Sequence, residues 1–406
     1  MSKKHILVVS QYFYPEPFRI NDICKEWVKR GYKVTVITGI PNYPEGKFYK
    51  GYSWSKKRKE TWEGIDIIRI PLISRGKSAF RLILNYYSFV FFGFFWKMFT
   101  KIKADIVFTF EVSPMTQALL SVWYSKKRKV PHYLYVQDLW PDNIEIVAGI
   151  KNKLILKSIN KMVNKIYKNS NLIFATSESF VKTIQERIFE DKDKVKFWPQ
   201  YAEDFYQPVC VNEIPDELNN DSFKIIFTGN IGQAQGLDVL PKVAKILKAE
   251  QKDIKFVIVG GGREKSAFIS KIKEFDVEDM FTIIERQPAQ NIPKFLCSCQ
   301  AAFVSFMDNP LFEKTIPAKL QSYMACGMPI IASANGETKR IIEEANCGIC
   351  ANIGDEKDLA NKISSFIENN DIEKLGFNAK AYSDKFFNKK TLMDDMDLYI
   401  GMVNKL

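Results

Sequence analysis

Short apolar runs rich in β-branched residues recur along the first half of the chain, each closed by polar or turn residues. They fall at Ile6 to Ser10, Val34 to Thr38, Ile65 to Ile70, Asp105 to Phe110, Tyr133 to Gln137 and Leu172 to Ser177, and each predicts a buried strand. Between them lie stretches with helical periodicity, among them Ile20 to Arg30, Leu154 to Asn169 and Ser179 to Phe189. Strands alternating with helices predict a parallel sheet covered on both faces. The pattern breaks between Trp198 and Ser222, where Pro199, Pro208, Pro215 and an Asn-Asn-Asp run collect. A domain boundary belongs there. A second alternating series follows, with strands at Lys224 to Thr228, Lys255 to Val259, Phe281 to Glu285, Ala301 to Phe306, Pro329 to Ser333 and Gly348 to Ala351. The predicted organisation is an α/β pair of doubly wound, Rossmann-like domains, residues 1–205 and 206–385. An amphipathic tail over 386–406 is placed to pack back on the first domain.

Leu82 to Trp96 departs from the alternation, being fifteen nearly uninterrupted apolar residues flanked by Arg81 and Lys97. A membrane span needs about 20 residues. A buried crossover helix and a helix lying on a membrane surface are the other two readings.

Length and composition leave ample material for two cores: 406 residues, 46% of them hydrophobic. The net charge of +12 is uneven, with 35 Lys+Arg against 17 Asp+Glu in residues 1–200 and 24 against 30 thereafter. Basic clusters at Lys56 to Lys59, Lys126 to Lys129 and Lys161 to Lys168 share the first half with the apolar segment. That combination suits an anionic membrane surface. Nucleic acid is not expected, because no zinc-finger spacing or RNP-type motif is present and the aromatics do not interleave with the basic residues.

Seven scattered cysteines and the absence of a signal peptide before Met1 predict a reduced, cytoplasmic protein. Cys347 and Cys350 have zinc-knuckle spacing, but Cys297 and Cys299 are one residue too close to complete it. They read as buried small hydrophobes. Asp191-Lys-Asp193 and Asp395-Met-Asp397 lack the preceding strand of a metal-binding Asp-x-Asp, so no metal is expected. His5 and His132 stand in or beside strands and read as structural.

The candidate chemistry sits at strand ends. After the first strand of the second domain come Gly229, Asn230, Gly232 and Gly236; after the next, Gly260, Gly261, Gly262 and Arg263. Glycines there let backbone N–H groups approach a phosphate, and a guanidinium grips one in a fork. Residues 313–327 then predict a short helix, with Pro317 in its first turn, Gly327 capping its end and Pro329 blocking continuation. Such a helix N-terminus can hold a diphosphate while Glu313 accepts hydrogen bonds from sugar hydroxyls.

The order of these motifs, with Asn335-Gly-Glu337 after them, resembles the retaining GT-B glycosyltransferases of family 4 over nearly the whole chain. Gln137-Asp138-Leu-Trp-Pro141-Asp142, Tyr14 to Pro17 with Arg19, Pro41-Asn42-Tyr43-Pro44 and Gln321 to Gly327 resemble the bacterial capsule and O-antigen branch that includes N-acetylfucosaminyltransferases. The resemblance implies a GT-B fold with a nucleotide-sugar in the second domain, an acceptor in the first, a cleft between them and no metal or other cofactor. It implies a UDP-N-acetyl sugar as donor and a polyprenyl-diphosphate-linked acceptor at the inner face of the plasma membrane. Glu313, Arg263, Lys319 and Asp138 become the candidate catalytic residues. Lys314, Thr315, Ile316, Pro317, Ala318, Gln321 and Ser322 join Gly229, Asn230, Gly232, Gly236 and Gly262 in holding the donor. Arg19, Asn42, Tyr43, Glu111 and Gln137 are candidates for the acceptor.

Two departures stand out. The family motif has two glutamates separated by seven residues, whereas Glu313 is followed at that spacing by Gln321; aligning on Met-Ala-Cys-Gly instead puts Lys314 and Ser322 there. Gln137 occupies the place where many members carry a histidine. Without a histidine base, the departing diphosphate can take the acceptor proton while Arg263, Lys319 and the helix end stabilise its charge. A GT-B sugar-nucleotide epimerase and a non-catalytic nucleotide-binding subunit of a polysaccharide assembly complex are the alternative readings.

Overall fold

The computed structural model describes residues 4–144, 152–189, 191–209, 215–369 and 371–402. The chain divides into two compact units, Met1–Trp198 with Met393–Leu406, and Pro199–Leu392.

In the first unit β1 (His5–Val9), α1 (Arg19–Lys29), β2 (Lys33–Gly39), β3 (Lys59–Trp62), β4 (Ile65–Ile70), α2 (Ala79–Phe99), β5 (Ile106–Glu111), α3 (Ala118–Arg128), β6 (His132–Val136), α4 (Lys153–Lys168), β7 (Leu172–Ala175), α5 (Glu178–Gln185) and β8 (Val195–Phe197) follow in order. The eight-stranded sheet runs β3-β4-β2-β1-β5-β6-β7-β8, parallel except where β3 meets β4. Two strands escape the sequence reading for physical reasons. β3 is a charged edge, Lys59-Glu-Thr-Trp62, whose alternation carries polar residues as edges do, and β8 is three residues long. The six strands read from the sequence are present to within one or two residues.

In the second unit β9 (Phe223–Asn230), α6 (Val239–Ala249), β10 (Ile254–Gly261), α7 (Lys265–Glu274), β11 (Phe281–Ile284), α8 (Ile292–Leu296), β12 (Ala301–Ser305), α9 (Pro310–Glu313), α10 (Ala318–Ala325), β13 (Ile330–Ser333), α11 (Gly336–Ala345), β14 (Gly348–Ala351), α12 (Glu356–Asn369), α13 (Ile372–Phe386) and α14 (Lys389–Gly401) complete the chain. The order β11-β10-β9-β12-β13-β14 is wholly parallel. It reverses direction between β9 and β12, and that switch opens the strand ends where doubly wound sheets bind ligands. Phe227, Ile258, Phe303 and Leu240 are fully buried in the core beneath it.

The end of α14 belongs to the first unit. Arg30 Nη1 pairs with Asp394 at 2.6 Å and Asp397 at 2.8 Å, and the Tyr133 hydroxyl donates to the Tyr399 carbonyl at 2.8 Å. Asp397 is thus an ion-pair partner.

The apolar segment is a 21-residue helix that packs the wrong way round for a core helix. Its buried positions are Asn85, Ser88, Phe89 and Gly93, while Phe80, Tyr87, Phe91, Phe95 and Phe99 are exposed, the last by 77%. Asn85 donates to the Ile73 carbonyl at 2.7 Å and accepts from Gln11 Nε2 at 2.7 Å; the Ser88 hydroxyl accepts from the Ile73 amide at 2.9 Å. The polar side chains fasten the helix to the domain, and a Cβ at Gly93 would come within 3.1 Å of Leu120 on α3. A buried core helix is therefore not what the segment forms. By length and composition α2 could cross a membrane, but only 28% of its apolar window is buried within the protein.

Cys24, Cys297, Cys299, Cys326, Cys347 and Cys350 are free thiols; Cys210 lies outside the described residues. The Cys350 thiol donates to the Ala334 carbonyl at 3.0 Å. His132 contacts Thr109 Oγ1 at 2.8 Å, and burial lowers its pKa to about 3.

Candidate active site

In the second unit the named residues gather at the C-terminal ends of β9, β10 and β12. β9 closes on Gly229, at φ +122°, and Asn230, both exposed. The Tyr323 hydroxyl of α10 accepts from the Thr228 amide at 2.8 Å, fixing α10 against that strand end. One turn earlier on α10, Lys319 lays its ammonium over the Phe227 ring, 4.4 Å from the centroid, and donates to Gln235 Oε1. Burial lowers its pKa to about 7. A lysine in this setting regains its full charge when a polyanion arrives.

The glycines divide into two kinds. A Cβ at Gly236 would meet the Phe306 carbonyl at 2.6 Å, at Gly260 the Gly229 carbonyl at 1.9 Å and at Gly262 the Ile231 carbonyl at 2.2 Å. Those three let backbone segments close on one another. Gly261 has nothing within 4 Å of its Cβ position, so no packing against a neighbouring backbone requires a glycine there. Sequence spacing could not separate them, because packing against a neighbouring loop is not written in a strand's own residues. Arg263 is exposed and forms no ion pair among the described residues.

Residues 313–327 fold differently from the single helix that the sequence predicts. Glu313 ends the one-turn helix α9, capped by the Asn309 side chain, and α10 starts only at Ala318, with Pro317 extended in the cap position. Lys314, Thr315 and Ile316 form the link between them. Gly336, at φ +60°, sits against Glu313, where a Cβ would be 2.0 Å from the Glu313 carbonyl. Asn335 Nδ2 lies 3.5 Å from Glu313 Oε1, and Glu337 is buried and paired with Arg340 at 2.6 Å. Gln321 is buried and donates to the Gln200 carbonyl at 2.6 Å, while its Oε1 has no protein partner. Ser322 is buried next to it.

In the first unit Asp138 and Glu111 follow or end adjacent parallel strands. Asp138 Oδ2 accepts from both the amide and the hydroxyl of Ser113 at 2.7 Å, and that hydroxyl accepts from Trp140 Nε1 at 3.1 Å and Asn143 Nδ2 at 2.9 Å. Burial raises the Asp138 pKa, with Ser113 offsetting part of the rise. Glu111 is fully buried and neither carboxyl oxygen has a partner of bonding geometry. Burial, then the nearby Asp138, push its pKa well up. Gln137 donates its amide to the Glu111 carbonyl at 2.8 Å.

Asn42 and Tyr43 form a loop rather than a free contact surface. Their amides both donate to Glu16 Oε1 at 2.7 Å, and Asn42 Oδ1 accepts from the Arg75 amide at 2.9 Å. Burial raises Glu16 to about 7, against the amides of Tyr43, Asn42 and Phe13. Arg75, absent from the sequence reading, stacks over Tyr43 at 5.2 Å and donates to the Tyr12 hydroxyl at 3.3 Å. Its signal was its place just after a strand end, in Ser-Arg-Gly-Lys. Arg19 starts α1.

The family Glycosyltransferase Family 4 matches residues 19–200, and Glycosyl transferases group 1 matches residues 212–383. The chain belongs to the group 1/family 4 glycosyltransferases of GT-B fold. WbjE of Pseudomonas aeruginosa, named as a glycosyltransferase, is 24% identical over 255 residues, 60% of this chain and 61% of its own length. WcaI of Escherichia coli (strain K12), named for colanic acid biosynthesis, is 26% identical over 333 residues, 77% of this chain and 78% of that one. The chain thus spans about three fifths of WbjE. Among solved structures, HepE of Anabaena in complex with UDP superposes with a TM-score of 0.70 at 13% identity, covering 98% of this chain and 99% of that one. At that identity the likeness speaks for the fold.

Proposed function

We propose that this glycosyltransferase moves an N-acetylated sugar from a UDP-sugar to a polyprenyl-diphosphate-linked saccharide, with retention at the anomeric carbon, in the synthesis of a bacterial capsule, O-antigen or related surface polysaccharide. The observation that carries the reading is the placement of Lys319. Its ammonium, at the start of α10 over the Phe227 ring and without a carboxylate partner among the described residues, has its Cε 3.1 Å from a Cβ position at Gly229; a cation beside a strand-end glycine at a helix N-terminus suits a diphosphate. The UDP bound to HepE and the naming of WcaI for colanic acid support the donor and the pathway class.

In this reading Asn230, Gly232 and the 314–318 link line the donor, Gln321 or Ser322 meets the ribose, and Glu313 accepts hydrogen bonds from the sugar. The acceptor oxygen bonds to the anomeric carbon on the face from which UDP departs, and the acceptor's proton passes to the leaving diphosphate oxygen. Lys319, Arg263 and the α10 terminus stabilise the charge that grows there, a role metals fill elsewhere. Asp138, held by Ser113, orients the acceptor hydroxyl, with Glu111, Gln137, Arg19, Asn42 and Tyr43 shaping its surroundings. The exposed aromatics of α2 and the basic clusters support a position of the first unit on the inner face of the membrane.

Incubation with a panel of UDP-N-acetyl sugars and lipid-linked saccharides, followed by NMR of the anomeric coupling in the product, tests it. Transfer with the donor's configuration kept is the expected result. An inverted product would refute retention, and donor turnover to an epimer without acceptor would replace the reading by the epimerase.

A further inference from the structure

An apolar groove of about 380 Å³ lies between the first half of α2 and α4. Leu82, Ile83 and Tyr86 form one wall, and Ile155, Ile159 and Met162 the other. Tyr87 and Ile155 are exposed at its margin, so the groove opens to the surface. Ser113 and Asn143 also line it; the Ser113 hydroxyl donates to Asp138 and accepts from Asn143 Nδ2.

Basic side chains flank the groove without lining it. Along α4, Lys153, Lys157, Lys161 and Lys165 recur every four residues and so share one helix face. All four are exposed, the helix carries no carboxylate, and none of them forms an ion pair among the described residues. Next to the groove-lining Tyr86 on α2, Asn85 Nδ2 shares Asn42 Oδ1 with the Arg75 amide, at 3.4 and 2.9 Å. Arg75 is part-buried, faces Tyr12 and Tyr43, and has no carboxylate partner among the described residues.

We propose that the groove and Arg75 together bind a polyisoprenyl diphosphate, its hydrocarbon between α2 and α4 and its diphosphate at Arg75. The inference rests on the lipid-linked acceptor proposed above and gives that acceptor a site. The volume is at the small end for ligand pockets, which fits one chain rather than the paired chains of a bulk phospholipid. A guanidinium with two phenols beside it offers a diphosphate the forked, charge-assisted hydrogen bonds it accepts best. A sugar carried on that diphosphate then starts beside Asp138, within the same unit. The lysine face draws the anionic carrier toward the groove.

Equilibrium dialysis of the full chain with radiolabelled geranylgeranyl diphosphate, below its micelle concentration and without detergent, reads the site independently of transfer. Inorganic diphosphate, UDP and anionic vesicles are measured alongside. Saturable binding of one prenyl diphosphate per chain, at least tenfold tighter than inorganic diphosphate, is expected. Ser158→Trp, which fills the groove from an exposed helical position, weakens it at least tenfold and leaves UDP affinity unchanged. Arg75→Gln weakens the prenyl diphosphate but not geranylgeraniol. Equal affinity for prenyl and inorganic diphosphate, an unaltered Ser158→Trp, or binding to vesicles alone would overturn the proposal. Prenyl diphosphate binding in a protein that ignores UDP would support it while removing the donor reading.

Discussion

Gly229 and Lys319 are fitted to one another: a Cβ at Gly229 would stand 3.1 Å from Lys319 Cε, at a backbone φ of +122°. Any side chain at 229 therefore strains the strand end and makes Lys319 Cε give way by a few tenths of an ångström. Gly229→Ala is expected to cost about 1–3 kcal/mol of stability and to weaken UDP binding. Gly261→Ala has no such backbone demand, so it should melt like the wild type and lose UDP affinity alone. Calorimetric unfolding together with UDP titration separates the two, and equal stability losses would mean that Gly261 is also a packing glycine.

The proposed mechanism puts Glu313 at the transferred sugar and Arg263 at the leaving group. Glu313→Gln and Arg263→Ala should each lower kcat at least a hundredfold with little change in melting temperature, the scale of losing one charge-stabilising group. Near-normal turnover in either variant would remove it from the site.

Glu16 makes a pH prediction whose sign follows from its raised pKa of about 7 against 4.5 unfolded. Between those values the folded state keeps a proton that the unfolded chain gives up, so stability from this group is present below pH 4.5 and lost as pH rises through 7. The loss is about 3 kcal/mol. Glu16→Gln keeps an acceptor for the amides of Asn42 and Tyr43 without titrating. The difference in unfolding free energy between wild type and variant should shift in the variant's favour from pH 4.5 to 8, and a constant difference would show that the carboxyl is charged throughout.

The sequence made the sheets legible because their strands are buried on both faces and read as β-branched runs. The candidate site was legible only as a set of strand-end glycines and a helix start. What could not be read depended on neighbours distant in the chain. Gly260 and Gly262 are explained by the Gly229 and Ile231 carbonyls they adjoin, and Gln321 by its bond to Gln200. The Glu313 segment contains a short helix, a link and a second helix because Asn309 caps the first turn and Pro317 delays the second. In α2 the residues that anchor the helix, Asn85 and Ser88, are its polar ones, which reverses the usual inference from hydropathy.

The exposed aromatics of α2 should decide membrane attachment. Burying a Phe side chain is worth about 1.5–3 kcal/mol, so Phe91→Ser with Phe99→Ser should lower partition into anionic vesicles at least tenfold while leaving the fold intact. Sedimentation with vesicles measures it, and unchanged partition would free α2 from that role.

Titration calorimetry of UDP into wild type and Lys319→Ala, at pH 8 in buffers of different ionisation enthalpy, tests the donor site most directly. With Lys319 near pKa 7 when free and fully charged against a diphosphate, wild type should take up about 0.9 proton per UDP bound and lose affinity as pH rises above 7. Lys319→Ala should bind at least tenfold more weakly with no uptake. Equal affinity and equal proton uptake in the two proteins, or no UDP binding by the folded wild type, would contradict the account.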